Sequence, residues 1–164
     1  CTPAQIDHIE TQVARAVEQG GRILAGGRRV DGMDGLFFQP TIIECPDPSM
    51  EIVDTELFGP VLAVLRFSDE DDVIAQANRS VHGLAAGLFT RDSARSMRVA
   101  RRLRAGIVWV NTYRVISPIA EFGGSKQSGY GRESGMQAVY DYTRPKTVWM
   151  NLSDDPVANP FEPR

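Results

Sequence analysis

Pro60-Val-Leu-Ala-Val-Leu-Arg-Phe67 is a nearly continuous apolar run, and Ser68, Asp69, Glu70 and Asp71 follow it at once. A run of that length without polar alternation reads as a strand buried on both faces. The acids after it read as the start of a helix, because carboxylates are stabilised near a helix N-terminus. Ser68 is the expected cap, and the helix is expected to run to about Asn78. Residues 85–90 form the next short apolar run. Asp92 then caps a helix to about Arg104, Gly106 ends it, and residues 107–111 (Ile-Val-Trp-Val-Asn) read as another buried strand. Strand, helix, strand, helix, strand with short connections predicts an α/β fold built on a parallel sheet.

Upstream, Thr2 and Pro3 open a helix, with Gln5 placed to complete a capping box. Ile6, Ile9, Val13 and Val17 give it one apolar face, and Gly20-Gly21 stop it. Residues 37–43 read as a strand interrupted at Pro40, which places it at an edge or a bulge. Downstream, residues 132–140 suit a short helix and residues 146–151 (Lys-Thr-Val-Trp-Met-Asn) a late strand. Residues 153–164 contain three prolines and read as an extended arm. Six arginines lie between Arg91 and Arg104. They fit one solvated helix face better than a nucleic-acid surface, with Met97, Ala100 and Leu103 on the buried side.

Composition excludes several classes. A hydrophobic share of 42% in 164 residues supports a single globular core. The net charge of −3 gives no electrostatic case for nucleic acid or an anionic membrane, and no apolar run is long enough to span a bilayer. Two cysteines, Cys1 and Cys45, stand in neither a disulfide nor a metal-ligand spacing, which points to a reducing, cytoplasmic setting. The chain begins with Cys1, so removal of a preceding segment is expected.

Most chemical motifs fail. No Gly-x-Ser-x-Gly elbow, His-Glu-x-x-His or paired Cys-x-x-Cys occurs, so no metal site is expected. Tyr130 stands where a phosphate loop would need lysine. What does stand out is Phe122-Gly-Gly-Ser-Lys-Gln-Ser-Gly-Tyr-Gly-Arg-Glu-Ser-Gly135, five of whose fourteen residues are glycine. Glycine at that density implies left-handed dihedrals or backbone pressed close to a neighbour.

This stretch, with Glu56-Leu-Phe-Gly-Pro-Val61 and Val108-Trp-Val-Asn-Thr-Tyr113, resembles the C-terminal part of the NAD(P)-dependent aldehyde dehydrogenase superfamily in order and spacing. Tyr142-Thr-Arg-Pro-Lys-Thr-Val148 resembles the family's final strand. The likeness runs from about Pro3 to Asn151. It implies a three-layer, parallel-sheet catalytic domain: residues 1–141 as its C-terminal part, 142–152 as an oligomerisation strand and 153–164 as an extended tail. The partners implied are a small-molecule aldehyde, NAD or NADP, and further copies of the chain in a dimer or tetramer joined through residues 146–151.

The resemblance also assigns roles. Glu56 would accept hydrogen bonds from the nicotinamide ribose hydroxyls. Phe58 would lie by the nicotinamide ring, although from the sequence alone plain core packing is the simpler account of a phenylalanine. Tyr113, Arg114, Ile116 and Phe122 would wall an aldehyde tunnel. Glu133 would relay protons, or else pair with Arg132 or Lys126. The family's nucleophilic cysteine, its general base and its cofactor-binding sheet lie upstream of the region matched, and neither Cys1 nor Cys45 has the nucleophile's context. Glu121 replaces the family's proline before Phe-Gly-Gly; Arg114 is placed to pair with it or to favour an anionic substrate. Two functions follow: part of an enzyme oxidising aldehydes to acids, inactive in isolation, or a stand-alone, non-catalytic module for binding or assembly.

Overall fold

The computed structural model describes residues 2–152, 154 and 161. Cys1 and nearly all of the expected tail lie outside the described residues.

The fold is mixed α/β. Helix α1 (Pro3–Glu18) is capped by the Thr2 hydroxyl, which accepts from the Gln5 N–H at 3.4 Å. Ile6, Ile9, Gln12, Val13 and Ala16 form its buried face, and Val17, expected there, is 46% exposed. Strand β1 (Arg22–Ala25) pairs antiparallel with β2 (Thr41–Cys45), and β2 pairs parallel with β3 (Val61–Leu65) in the register Thr41↔Val61 to Cys45↔Leu65. β2 is therefore a central strand that starts after Pro40; proline, which has no N–H for the ladder, stays outside it. Ile9, Val13, Ala16, Phe38, Ile43, Cys45, Met50, Ile52 and Leu57 make one core between α1, this sheet and the short helix α2 (Glu51–Asp54). Only one sheet face is covered. Ile42, Leu62 and Val64 stay exposed on the other, so β3 is not buried on both faces as expected, and a third layer is absent among the described residues.

Helix α3 (Glu70–Arg79) is capped by Asp69, which accepts from the Asp72 N–H, and not by Ser68. Ser68 instead donates its N–H back to Asp72. β4 (His82–Gly83), β5 (Ala85–Leu88), α4 (Ser93–Arg102), β6 (Ile107–Val110), β7 (Ser125–Lys126) and α5 (Gly135–Asp141) complete the order. β5 pairs parallel with β6, and β4 pairs antiparallel with β7. The expected single parallel sheet is thus three separate ladders in this chain.

Three of the six arginines between Arg91 and Arg104 are ion-paired and not simply solvated: Arg95 and Arg98 to Glu70, and Arg102 to Asp71. Val99 is the buried residue of α4, while Met97 is 56% exposed. Residues 146–151 form no strand within the chain, and Val148, Trp149 and Met150 lie open.

Candidate functional site

Glu56 and Phe58 flank Leu57, which is 8% exposed and anchored in the core. Both neighbours of the buried Leu57 lie exposed. Phe58 is 73% exposed, so it is not packed in the core formed by the described residues. Its φ of 50° is a left-handed value that a bulky residue holds only under constraint. The constraint is visible: the Gln5 side-chain amide donates to the Phe58 carbonyl at 2.6 Å. Gln5 thus spends its side chain across the fold and not on a capping box. Beside the pair lies a cavity of about 320 Å³ lined in part by Thr55, Glu56, Phe58 and Gly59.

The second group begins where β6 ends. Asn111 (φ 54°) accepts from the Thr90 N–H and donates to the Thr90 carbonyl, both at 2.8 Å, extending the β5–β6 pairing by one side chain. Beyond it the Trp109 indole donates to the Val115 carbonyl at 2.8 Å, and Tyr113 stands edge-on to Trp109 with centroids 5.4 Å apart. The Arg114 guanidinium lies 5.4 Å from the Tyr113 ring centre. Tyr113 is 61% and Ile116 65% exposed.

The glycine-rich stretch folds back on itself. Phe122 and Glu133 exchange both backbone hydrogen bonds at 2.7 Å, so each fixes the other. Close approach accounts for Gly123 and Gly124, where a Cβ would fall 2.6 Å from the Gly131 carbonyl oxygen and from Ser128 Cβ, whereas left-handed φ values of 115° and 79° account for Gly129 and Gly131. Lys126 (φ 55°) donates to the Asn78 and Ser80 carbonyls at 3.0 and 2.9 Å, where the dipole of α3 favours a cation. Arg132 donates to the Gly124 and Gly131 carbonyls at 2.7 and 2.6 Å. Both cations are therefore engaged by backbone, and the expected pairing of Glu133 with either is not made. The Glu133 carboxylate is exposed. Arg114 and Glu121 do not pair either.

The sequence-derived residues thus fall into two groups, Glu56 with Phe58, and Tyr113, Arg114, Ile116, Phe122 and Glu133. No hydrogen bond, ion pair or ring contact joins the groups among the described residues. Two contributors were missed: Gln5, whose capping-box spacing masked a contact made 53 residues away, and Trp109, which reads as an ordinary strand residue.

The model of the aldehyde dehydrogenase family matches residues 1–148. The chain belongs to the aldehyde dehydrogenase family. It is 48% identical over 162 residues to (Z)-2-((N-methylformamido)methylene)-5-hydroxybutyrolactone dehydrogenase of Acinetobacter baylyi, across 98% of this chain and 33% of that protein. It is 43% identical over 161 residues to betaine aldehyde dehydrogenase 1 of Rhizobium meliloti, across 96% and 32% respectively. The crystal structure of PnpE in complex with nicotinamide adenine dinucleotide matches with a TM-score of 0.90 at 39% identity, over 98% of this chain and 33% of PnpE. The chain spans about a third of the length of these relatives.

Within this aldehyde dehydrogenase chain, Cys45 is 2% exposed and its thiol pKa is raised by burial, so it offers neither access nor thiolate. No group of three His, Cys, Asp or Glu side chains suited to a metal occurs among the described residues.

Proposed function

We propose that this chain is the C-terminal third of an NAD(P)-dependent aldehyde dehydrogenase whose complete form oxidises an aldehyde to a carboxylic acid. The Glu56–Phe58 corner carries the reading. An exposed carboxylate and a bare aromatic face, held beside a cavity of about 320 Å³, suit the two hydroxyls and the flat ring of a nicotinamide riboside. Such a corner supplies one wall; the rest of NAD or NADP would be held by a longer polypeptide. The bound nicotinamide supplies the acceptor for the two electrons that the aldehyde carbon loses. A cysteine outside this chain would attack that carbon and form the thiohemiacetal.

The residues here then bind, shape and move protons. Tyr113, Arg114, Ile116 and Phe122 wall the aldehyde tunnel, with Phe122 set by its paired bonds to Glu133. Glu133, exposed and free of Arg132 and Lys126, relays the proton released as water attacks the acyl-enzyme. Residues 142–152 form the oligomerisation segment. The stretch 146–151, in which Val148, Trp149 and Met150 are exposed, adds to a sheet of a neighbouring copy in a homo-oligomer. Two cysteines, of which Cys45 is free, suit the cytoplasm. No helix of the described residues is long and apolar enough to cross a membrane.

Aldehyde-dependent NADH formation by the complete protein and by the isolated chain tests this. Turnover by the complete protein alone, with a raised NAD+ KM in Glu56→Gln, is expected. Turnover by the isolated chain, or none by the complete protein across an aldehyde panel, would refute it. The exposed 148–152 segment also suits a stand-alone assembly module. The intact mass of the native polypeptide separates the two, because the enzyme requires a chain about three times longer.

A further inference from the structure

Several arginines in this chain are matched to carboxylates: Arg22 and Arg66 share Glu44, and Arg29 holds both Asp7 and Glu10. Arg114 has no ion-pair partner among the described residues, yet its position is tightly specified. Its φ of 58° is left-handed, which an arginine adopts only at a cost. The next peptide is fixed, because the Val115 carbonyl accepts from the Trp109 indole at 2.8 Å. The guanidinium rests over Tyr113, and Tyr113 rests edge-on against Trp109, a residue of β6. An aromatic face orients a guanidinium without using any of its five N–H donors. A rigid platform therefore holds a cation whose hydrogen-bonding fork is unspent.

The one acid in the same segment is placed elsewhere. A Cβ on Gly135 would fall 2.7 Å from Glu121 Cγ, so the Glu121 stem leans on the start of α5. Nothing in the segment neutralises Arg114.

We infer that Arg114 is a specificity-determining residue that binds a carboxylate on the substrate, so that the preferred aldehyde is the semialdehyde of a carboxylic acid. The inference rests on the proposed function, which makes residues 113–122 the tunnel wall. A planar fork matches a carboxylate in a paired, charge-assisted geometry. The same fixed charge disfavours a cationic aldehyde, and a neutral one leaves it unpaired.

The test uses the complete protein with two readouts. Calorimetric titration with glutarate, an unreactive dicarboxylate, needs no turnover. Saturable binding is expected, weakened about 10- to 100-fold in Arg114→Gln and partly restored in Arg114→Lys, with glutaramide silent. The ratio of kcat/KM for 4-oxobutanoate over butanal should fall in Arg114→Gln by a similar factor. Unchanged glutarate binding in Arg114→Gln, or equal losses for both aldehydes, would overturn the inference and leave the dehydrogenase standing. Arg114-dependent glutarate binding by a protein that oxidises neither aldehyde would keep the carboxylate site and overturn the dehydrogenase.

Discussion

The unit formed by α1, β1, β2, α2 and β3 and the stretch after β6 are built on different principles. The first buries its side chains: among the described residues, nearly every hydrophobic residue below a tenth exposed lies between Ile6 and Leu57, with only Ile74 and Val99 beyond. The second leaves Tyr113, Ile116, Ile119 and Tyr140 more than 60% exposed and keeps its shape by backbone pairing, cation-to-carbonyl bonds and glycine close contacts. Burial is non-directional and additive, so it stabilises without specifying atom positions. Hydrogen bonds contribute less energy but set direction, which is what a tunnel wall requires. Stability and the proposed chemistry therefore sit in different parts of the chain, and substitutions in the two should fail differently.

The largest expected effect is in the buried unit. Ile43 is fully buried at the centre of β2, and Ile43→Ala removes its contacts and leaves a cavity. A loss of about 2–5 kcal/mol is expected in urea unfolding of the chain. Tyr113→Ala, at 61% exposure, should shift the same midpoint far less. Comparable losses in both would mean the exposed stretch is part of the core.

Next in size is Gly106, a glycine just before β6 that backs directly onto the second region. Gly106→Ala places a methyl group against the Gly123 carbonyl, which cannot give way as a flexible side chain would. Overpacking of this kind costs about 1–3 kcal/mol. Hydrogen exchange should show lost protection at Phe122 and Glu133, whose paired amides depend on the fold of that stretch, while α1 and β2 stay protected. Uniform loss along the chain would break the two-region picture.

That division also explains what the sequence made legible. α1 and α4 were readable because Thr2 and Asp92 cap them locally, α3 because acids fill its first turn although its cap is Asp69 and not Ser68, and apolar runs located β3, β5 and β6. β1 was not, being four exposed residues that pair with β2 beyond a 15-residue excursion. A single sheet was a fair inference from element order, but order carries no information on whether β3 and β5 pair. At the site, residue types were legible by motif and their partners were not. Lys126 and Arg132 reach carbonyls, which every residue has, so no side-chain pattern could announce them.

The smallest expected effect is electrostatic and returns to the buried unit. Glu44 accepts from Arg22 and Arg66, and these bonds, Arg22 first, hold its pKa below the ordinary value near 4.5. A carboxylate with a lowered folded-state pKa stabilises above its unfolded pKa, and that contribution disappears as pH falls through the folded value. Both arginines are mostly exposed, so screening keeps the effect modest and salt-sensitive. Wild type should therefore exceed Glu44→Gln in melting temperature at neutral pH, with the gap narrowing on acidification below about pH 4.5 and on addition of salt. A gap independent of both would show that Glu44 acts through packing of its stem and not through its charge.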